Sequence, residues 1–250
     1  MRGTLWSGDA DFFHPITGIH KMLNLLKSLL RSFSSRDEKK TALSSGSPAP
    51  DWFLRSFLTD EERRALVATD DPVRFGSVSL ALRDICENAI PGALAECGVY
   101  RGVMSKFIHD RVPERTLYLF DTFSGFDARD LDGSSDERFR DTSVEGVLSY
   151  IGNREHIVVR KGYFPASAEE LGTEQFAFVM IDFDKYQPTL AALTLFYPRM
   201  IRGGYFFVHD VNSPESDWAC SRALNEFLKD KPEKLVAVPD MWGTSVFRKT

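Results

Sequence analysis

Phe176-Ala-Phe-Val-Met-Ile-Asp-Phe-Asp-Lys-Tyr186 and the similar run Gly204-Tyr-Phe-Phe-Val-His-Asp210 decide the reading of this chain. Each opens with a short apolar run of strand length, and each ends in acidic or imidazole groups. An open α/β sheet places its ligands at the carboxyl ends of such strands. Asp182 and Asp184 after the first run, with His209 and Asp210 after the second, therefore converge as a small cluster of hard ligands, a metal site in outline.

Outward from these runs, strands and helices alternate. Thr59 followed by Glu62 reads as a capped helix start, and the apolar spacing predicts a helix over Ser77 to Ala89, stopped by Pro91-Gly92. Strands follow at Ala93 to Cys97, Thr116 to Phe120, His156 to Arg160, Phe176 to Ile181 and Tyr205 to Val208. Helices are predicted between them over Met104 to Arg111, Ser143 to Ile151, Ala166 to Leu171 and Thr189 to Tyr197, with another near Ala219 to Lys229. Such alternation makes a mainly parallel sheet with helices on both faces. The last two strands, Lys234 to Val238 and Thr244 to Arg248, are joined only by Pro239 to Gly243, too short for a crossover, and so pair antiparallel. A Rossmann-like, mostly parallel sheet closed by a C-terminal antiparallel hairpin resembles the class I S-adenosylmethionine-dependent methyltransferases.

Residues 1–50 read as an N-terminal amphipathic arm, Ile19 to Phe33, followed by a flexible linker, with the catalytic domain at 51–250. The arm fits a partner subunit or the active site, a membrane surface, or a marginal helix on its own domain. The 250 residues, 43% of them hydrophobic, suffice for one sizeable core. A net charge of -5 supplies no basic face for nucleic acid, so small molecules are the expected partners. Three cysteines without C-x-x-C spacing support neither a zinc knuckle nor a disulfide framework, and fit a reducing cytoplasm with each thiol packed as a small hydrophobe. No stretch approaches the roughly 18 to 20 apolar residues of a membrane span, which excludes stable membrane insertion, and the first residues lack the order of a secretion signal.

The first strand runs into Glu96-Cys-Gly-Val-Tyr-Arg-Gly102, with Gly98 and Gly102 but not the paired glycines that crowd a pyrophosphate. S-adenosylmethionine has no phosphate; its site needs one close backbone approach at Gly98 and a carboxylate, here Glu96. Asp121 ends the second strand about twenty residues further on, where an acid accepts from ribose hydroxyls, although an aspartate there also forms turns. Val99, Tyr100, Thr122 and Phe123 flank these positions. Gly162, Tyr163 and Phe164 follow the third strand, where the adenine ring is expected. Met241, Trp242 and Trp218 lie near the mouth of the same face, to grip an apolar acceptor or to close the core. The run Asp127 to Glu137 reads as a solvated loop or a lid.

Asp121-Thr-Phe-Ser-Gly-Phe126, Phe139-Arg-Asp-Thr-Ser143, Lys161-Gly-Tyr-Phe-Pro165, Asp182-Phe-Asp-Lys-Tyr-Gln-Pro-Thr189 and Tyr197-Pro-Arg-Met-Ile-Arg-Gly-Gly204 resemble the macrocin O-methyltransferase family, whose members methylate sugar hydroxyls of natural products. The matches fall between about Leu94 and Phe227, leaving the N-terminal arm outside. The resemblance implies magnesium held by one aspartate of the D-x-D motif and an acidic pair after the next strand: here Asp182 or Asp184, then His209 and Asp210, with Asp182 the preferred ligand and also a neighbour of the cofactor. His209 stands where the family has an acid, and imidazole suits manganese, iron or zinc better than magnesium. His209 is therefore either a ligand or the general base. The histidine that family members use between the second and third strands is absent from Ser124 to Tyr150, which leaves Asp182, Asp184, His209 or the metal to deal with the acceptor proton. The resemblance implies a hydroxyl-bearing small-molecule acceptor and a homodimer or larger homo-oligomer. Catechol-type methylation, an NAD-dependent oxidoreductase and a non-catalytic cofactor-binding member are the alternatives.

Overall fold

Helix starts are written plainly into this chain, and the computed structural model, which describes residues 57–250 except Ala68, Asp132 and Ser134, bears most of them out. The arm at Ile19 to Phe33, the linker and the domain start at Asp51 lie outside the described residues. Helices are numbered from the first described one. In α1 (Asp60–Leu66) the Thr59 hydroxyl accepts from Glu62 N at 3.2 Å while Glu62 Oε2 accepts from Thr59 N at 2.6 Å, the predicted reciprocal cap.

The next helix, α2 (Pro72–Glu87), begins five residues before the predicted Ser77. Asp71 caps it, accepting from Arg74 N at 3.1 Å, and Pro72 occupies the first turn, where no N–H is needed. That correction brings Arg74 into a helix that reaches the functional face.

The remaining elements follow the predicted order: β1 (Ala93–Cys97), α3 (Val103–Arg111), β2 (Leu117–Asp121), α4 (Val144–Ile151), β3 (Ile157–Lys161), β4 (Phe176–Ile181), α5 (Tyr186–Phe196), β5 (Met200–Val208), α6 (Ala219–Leu228), β6 (Val236–Val238) and β7 (Thr244–Arg248). Ala166–Leu171, predicted as a helix, is a 3-10 helix. Helix α5 starts at Tyr186 rather than Thr189; its N-cap is Lys185 and no side chain caps it, so Asp182 and Asp184 are not helix caps. Tyr186 lies in that helix, and its hydroxyl donates to Glu226 of α6.

The seven strands pair in the order β3-β2-β1-β4-β5-β7-β6. The first five of these neighbours run parallel, while β7 pairs antiparallel with both β5 and β6, the hairpin that the short Pro239 to Gly243 connection requires. Every residue of β1 and β4 is buried, as a central parallel strand covered on both faces demands. On one face Ala95, Cys97, Val179, Ile181 and Phe206 pack with Phe196 of α5 and Leu224 of α6. Phe75 of α2 meets Phe107 of α3 edge to face, with ring centres 4.8 Å apart. Rings buried as fully as Phe120, Phe176 and Phe196 contribute about 2–3 kcal/mol each by leaving water. Of the three thiols, Cys97 and Cys220 pack inside as expected, but Cys86, near the end of α2, is exposed.

The order of strand addition reverses between β1 and β4: β2 and β3 lie on one side, β4 and β5 on the other. A crevice opens outside the carboxyl ends of strands at such a switch point.

Candidate active site

At the end of β1 the chain must turn within a very small space. Gly98 N donates to Phe120 O at 2.9 Å, and Asp182 N donates to Cys97 O at 2.7 Å, so the turns after β1 and β4 touch. Gly98 has φ +89°, and a Cβ there would stand 2.0 Å from the Asp182 carbonyl oxygen; no residue but glycine fits. The Asp121 carboxylate, at the end of β2, braces the turn. Its Oδ2 accepts from Val99 N at 2.7 Å and Tyr100 N at 3.0 Å, and its Oδ1 accepts from Phe123 N at 2.6 Å. Two oxygens carry about four lone pairs, so acceptor capacity remains on Oδ1.

Beyond this turn lies a cleft of about 490 Å³, within the size range of small-molecule sites. Glu96, Gly98, Val99, Tyr100, Asp121 and Thr122 line one end of it. Gly162, Tyr163 and Phe164 line it from β3, and Asp182, Asp184, His209 and Asp210 from β4 and β5. Two residues predicted for the cofactor are not brought there. Gly102 is the left-handed N-cap of α3, where a Cβ would press to 2.8 Å from Val147 of α4, so its smallness serves helix packing. Phe123 is 4% exposed and held at φ +53°, its ring packed inside while its N–H serves Asp121.

The ends of β4 and β5 meet. His209 N donates to Ile181 O at 2.9 Å, continuing the β4–β5 ladder past its formal end and setting His209 beside Asp182. Asp182, His209 and Asp210 each present a donor atom, and these atoms lie within 4.8 Å of one another. Donors around one ion at about 2.0–2.3 Å stand roughly 3 to 4.5 Å apart, so side-chain shifts of a few tenths of an ångström suffice to fit one. Crowding acids in a low-dielectric cleft disfavours their charged forms. Burial, with the neighbouring Asp184 carboxylate, raises Asp182 to about 7. Burial raises Asp210 to about 6, and burial with a hydrogen bond to Asp210 pushes Asp184 well up. Glu96, 2% exposed and accepting from the Ser105 hydroxyl, is raised by burial to about 8. His209 moves the other way, down to about 4, through burial and the positive charge of Arg74. It is an imidazole lone-pair donor among crowded acids, a donor set suited to a divalent cation.

Arg74 was not among the residues singled out from the sequence. Its Nη1 lies 3.6 Å from Asp182 Oδ2, and its Nε is buried without a hydrogen bond. The signal was present in Asp71-Pro72, an N-cap followed by proline, which sets the helix phase that carries Arg74 to the cleft. Lys185, next to Asp184, donates from Nζ to Asp136 Oδ2 at 3.3 Å and lies 4.1 Å over the Phe126 ring. The Asp127 to Glu137 run is fastened rather than simply solvated: Arg138 bridges Asp136 and Glu215, and Tyr163 donates to Asp130 at 2.9 Å. Phe126, Asp130 and Phe139 line the cleft as a result. Met241 and Trp242 also line it, anchored where Asp71 Oδ2 accepts from Met241 N at 3.1 Å, whereas Trp218 does not line it and is half exposed.

A parallel sheet in this order, with a C-terminal hairpin and a cleft between a phosphate-free glycine turn and an acidic strand end, defines a Rossmann-like class I methyltransferase. The chain belongs to the macrocin-O-methyltransferase (TylF) family, whose family model matches residues 21–247, and is an O-methyltransferase. The match takes in part of the N-terminal arm, which the sequence motifs between Leu94 and Phe227 did not reach. Among its relatives, mycinamicin III 3''-O-methyltransferase of Micromonospora griseorubida is 25% identical over 240 residues, covering 85% of this chain and 90% of that protein. Demethyldecarbamoylnovobiocin O-methyltransferase of Streptomyces niveus is 29% identical over 156 residues, 55% of this chain and 59% of that one. Of solved structures, the O-methyltransferase NovP superposes with a TM-score of 0.61 at 23% identity over 72% of this chain and 80% of that one. The calicheamicin methyltransferase CalS11 does so with 0.56 at 20% identity over 98% and 99%. Among the described residues no helix is long and apolar enough to cross a membrane.

Proposed function

We propose that this chain transfers the methyl group of S-adenosylmethionine to a hydroxyl of a sugar or glycosylated natural product, assisted by a divalent metal. The observation that carries the reading is the meeting of Asp182, His209 and Asp210, donor atoms within 4.8 Å, beside the Gly98 turn. Glu96, Gly98, Val99, Tyr100, Asp121 and Thr122 bind the amino-acid and ribose parts of the cofactor, and Gly162 and Phe164 its adenine. The relatives named for mycinamicin III and demethyldecarbamoylnovobiocin support the acceptor class.

In the reaction the acceptor oxygen displaces the thioether at the methyl carbon, and its proton must leave. A divalent cation held by Asp182, His209 and Asp210 would supply Lewis acidity to that hydroxyl. Asp184, pushed up by burial and by its interaction with Asp210, steadies that carboxyl beside the cluster. Phe126, Phe139 and Trp242 close the cleft walls and exclude water from the sulfonium.

Arg74 favours a second, metal-independent reading. A guanidinium 3.6 Å from Asp182 already places positive charge in the cluster, and Asp182, with a pKa of about 7, is poised to accept the proton itself. Calorimetric titration with S-adenosylhomocysteine, run with and without manganese or magnesium and against NAD, tests the binding half. Binding of NAD without response to S-adenosylhomocysteine sinks the proposal, and cofactor binding without turnover on any acceptor marks a non-catalytic member.

Residues 51–250 are proposed to form the catalytic domain, with residues 1–50 as an appendage, and the working unit to be a homodimer or larger homo-oligomer in the cytoplasm. Light scattering on the full chain and on a form starting at Asp51 tests both the assembly and the boundary.

A further inference from the structure

His209 Nδ1 lies 3.0 Å from the Thr244 hydroxyl, and that hydroxyl lies 2.5 Å from Asp240 Oδ2. The Asp240 side chain has no exposed surface, and its other oxygen accepts from Thr244 N at 2.7 Å. The Thr244 hydroxyl has one proton, which it donates to Asp240 Oδ2, so it offers a lone pair to His209. Nδ1 must then carry the ring proton, and Nε2 is left with a bare lone pair. Among the described residues Nε2 makes no hydrogen bond; it stands 3.7 Å from Asp210 Oδ1, on a side chain 4% exposed, facing the acidic cluster.

We propose that Asp240 and Thr244 are positioning residues that lock His209 in its Nδ1–H tautomer, making the cluster a site of one nitrogen and two carboxylate donors that selects manganese, cobalt or zinc over magnesium. The inference rests on the metal-assisted reading above. Its chemical basis is that imidazole nitrogen gains more from later first-row ions than from magnesium, which prefers an all-oxygen shell. A partner on the far nitrogen of a ligating histidine fixes both tautomer and ring orientation. Both positioning residues come from the β6–β7 hairpin, which gives that closing element a task at the site: Thr244 opens β7 and Asp240 lies in the connection, so the turn that ends the sheet also sets the imidazole.

Two measurements on the full chain test this. Nitrogen-15 NMR of the histidine rings in metal-free protein reads the tautomer directly. Titration with manganese and with magnesium reads the ratio of their affinities in wild type, Thr244→Val, Thr244→Ser and His209→Asp. The expected results are an Nδ1–H signal for His209 and a manganese preference of at least about tenfold. That preference should fall about tenfold in Thr244→Val, return in Thr244→Ser, and turn toward magnesium in His209→Asp. A wild-type Nε2–H tautomer overturns the proposal whether or not any variant folds. An unchanged ratio in folded Thr244→Val overturns it while leaving the metal reading standing. Failure of every ion to bind wild type removes both.

Discussion

Arg74 Nη1, on the helix that precedes the sheet, stands 3.6 Å from Asp182 Oδ2 at the end of β4. This places a fixed positive charge against the carboxylate best positioned to hold a cation, and it opposes the burial that raises both Asp182 and Asp210. Arg74→Met should therefore strengthen divalent-ion binding by about 1 kcal/mol, roughly fivefold, since the repulsion acts across a partly solvated cleft. In the metal-independent reading the same substitution leaves ion binding untouched and costs about tenfold or more in kcat. Ion titration and turnover measured on one preparation separate the two.

The raised acids give the cation-free protein a distinctive pH dependence. Asp182 at about 7, Asp210 at about 6 and Glu96 at about 8 hold protons in the folded state that the unfolded chain releases near its ordinary carboxylate values. Their contribution to stability is complete below about pH 4 and is lost as pH rises to about 8. Glu233, lowered to about 2 by its hydrogen bonds from Tyr197 and the backbone, and Asp127, lowered to about 2 by Arg129, contribute the opposite trend only in more acid solution. Melting curves between pH 5 and 8 should show Tm falling with pH, and saturating manganese should remove most of the fall. A flat profile in chelator contradicts the crowding of charge described here.

Gly98 and Gly76 make a matched pair. Alanine at Gly98 meets the Asp182 carbonyl at 2.0 Å with φ +89°, so Gly98→Ala should abolish cofactor binding and cost more than about 3 kcal/mol, or leave the chain unfolded. At Gly76, inside α2, the nearest atom to the new Cβ is the flexible Leu66 side chain at 3.4 Å. Gly76→Ala should be neutral or stabilising by up to about 1 kcal/mol. Urea unfolding of both variants reads the contrast.

Asp121→Asn keeps the shape but replaces one oxygen by a donor. Either Val99 N and Tyr100 N or Phe123 N then faces an amide NH2, leaving a buried donor unpaired. The expected cost is about 1–3 kcal/mol in stability and at least about tenfold in S-adenosylhomocysteine affinity, read by melting and calorimetry. Unchanged affinity in a folded variant would mean that the turn does not depend on this brace.

The strands and the acidic ends were legible because each depends on local pattern: the apolar runs at Phe176 to Ile181 and Tyr205 to Val208 fix the sheet, and position at a strand end fixes Asp182 and Asp210. Errors arose where a distant partner decided the outcome. The start of α2 is the exception, since its signal, Asp71-Pro72, is local; Arg74 matters only because the fold sets that helix against β4. Gly102 resembles a ligand glycine in one dimension but is required by Val147 of α4, 45 residues on. Asp240 and Thr244 carry no local signal at all; only the antiparallel pairing of β7 with β5, Val208 opposite Ser245, brings them beneath His209.

Metal-assisted methyl transfer at the Asp182, His209 and Asp210 cluster is open to direct measurement. Its most direct test is the transfer of labelled methyl from S-adenosylmethionine to desmethyl glycosylated acceptors, with wild type and Asp182→Ala, in chelator and after manganese is restored. Label should appear on the acceptor for wild type with manganese, fall at least about a hundredfold in chelator, and not recover in Asp182→Ala. Label transferred equally well in chelator would contradict it.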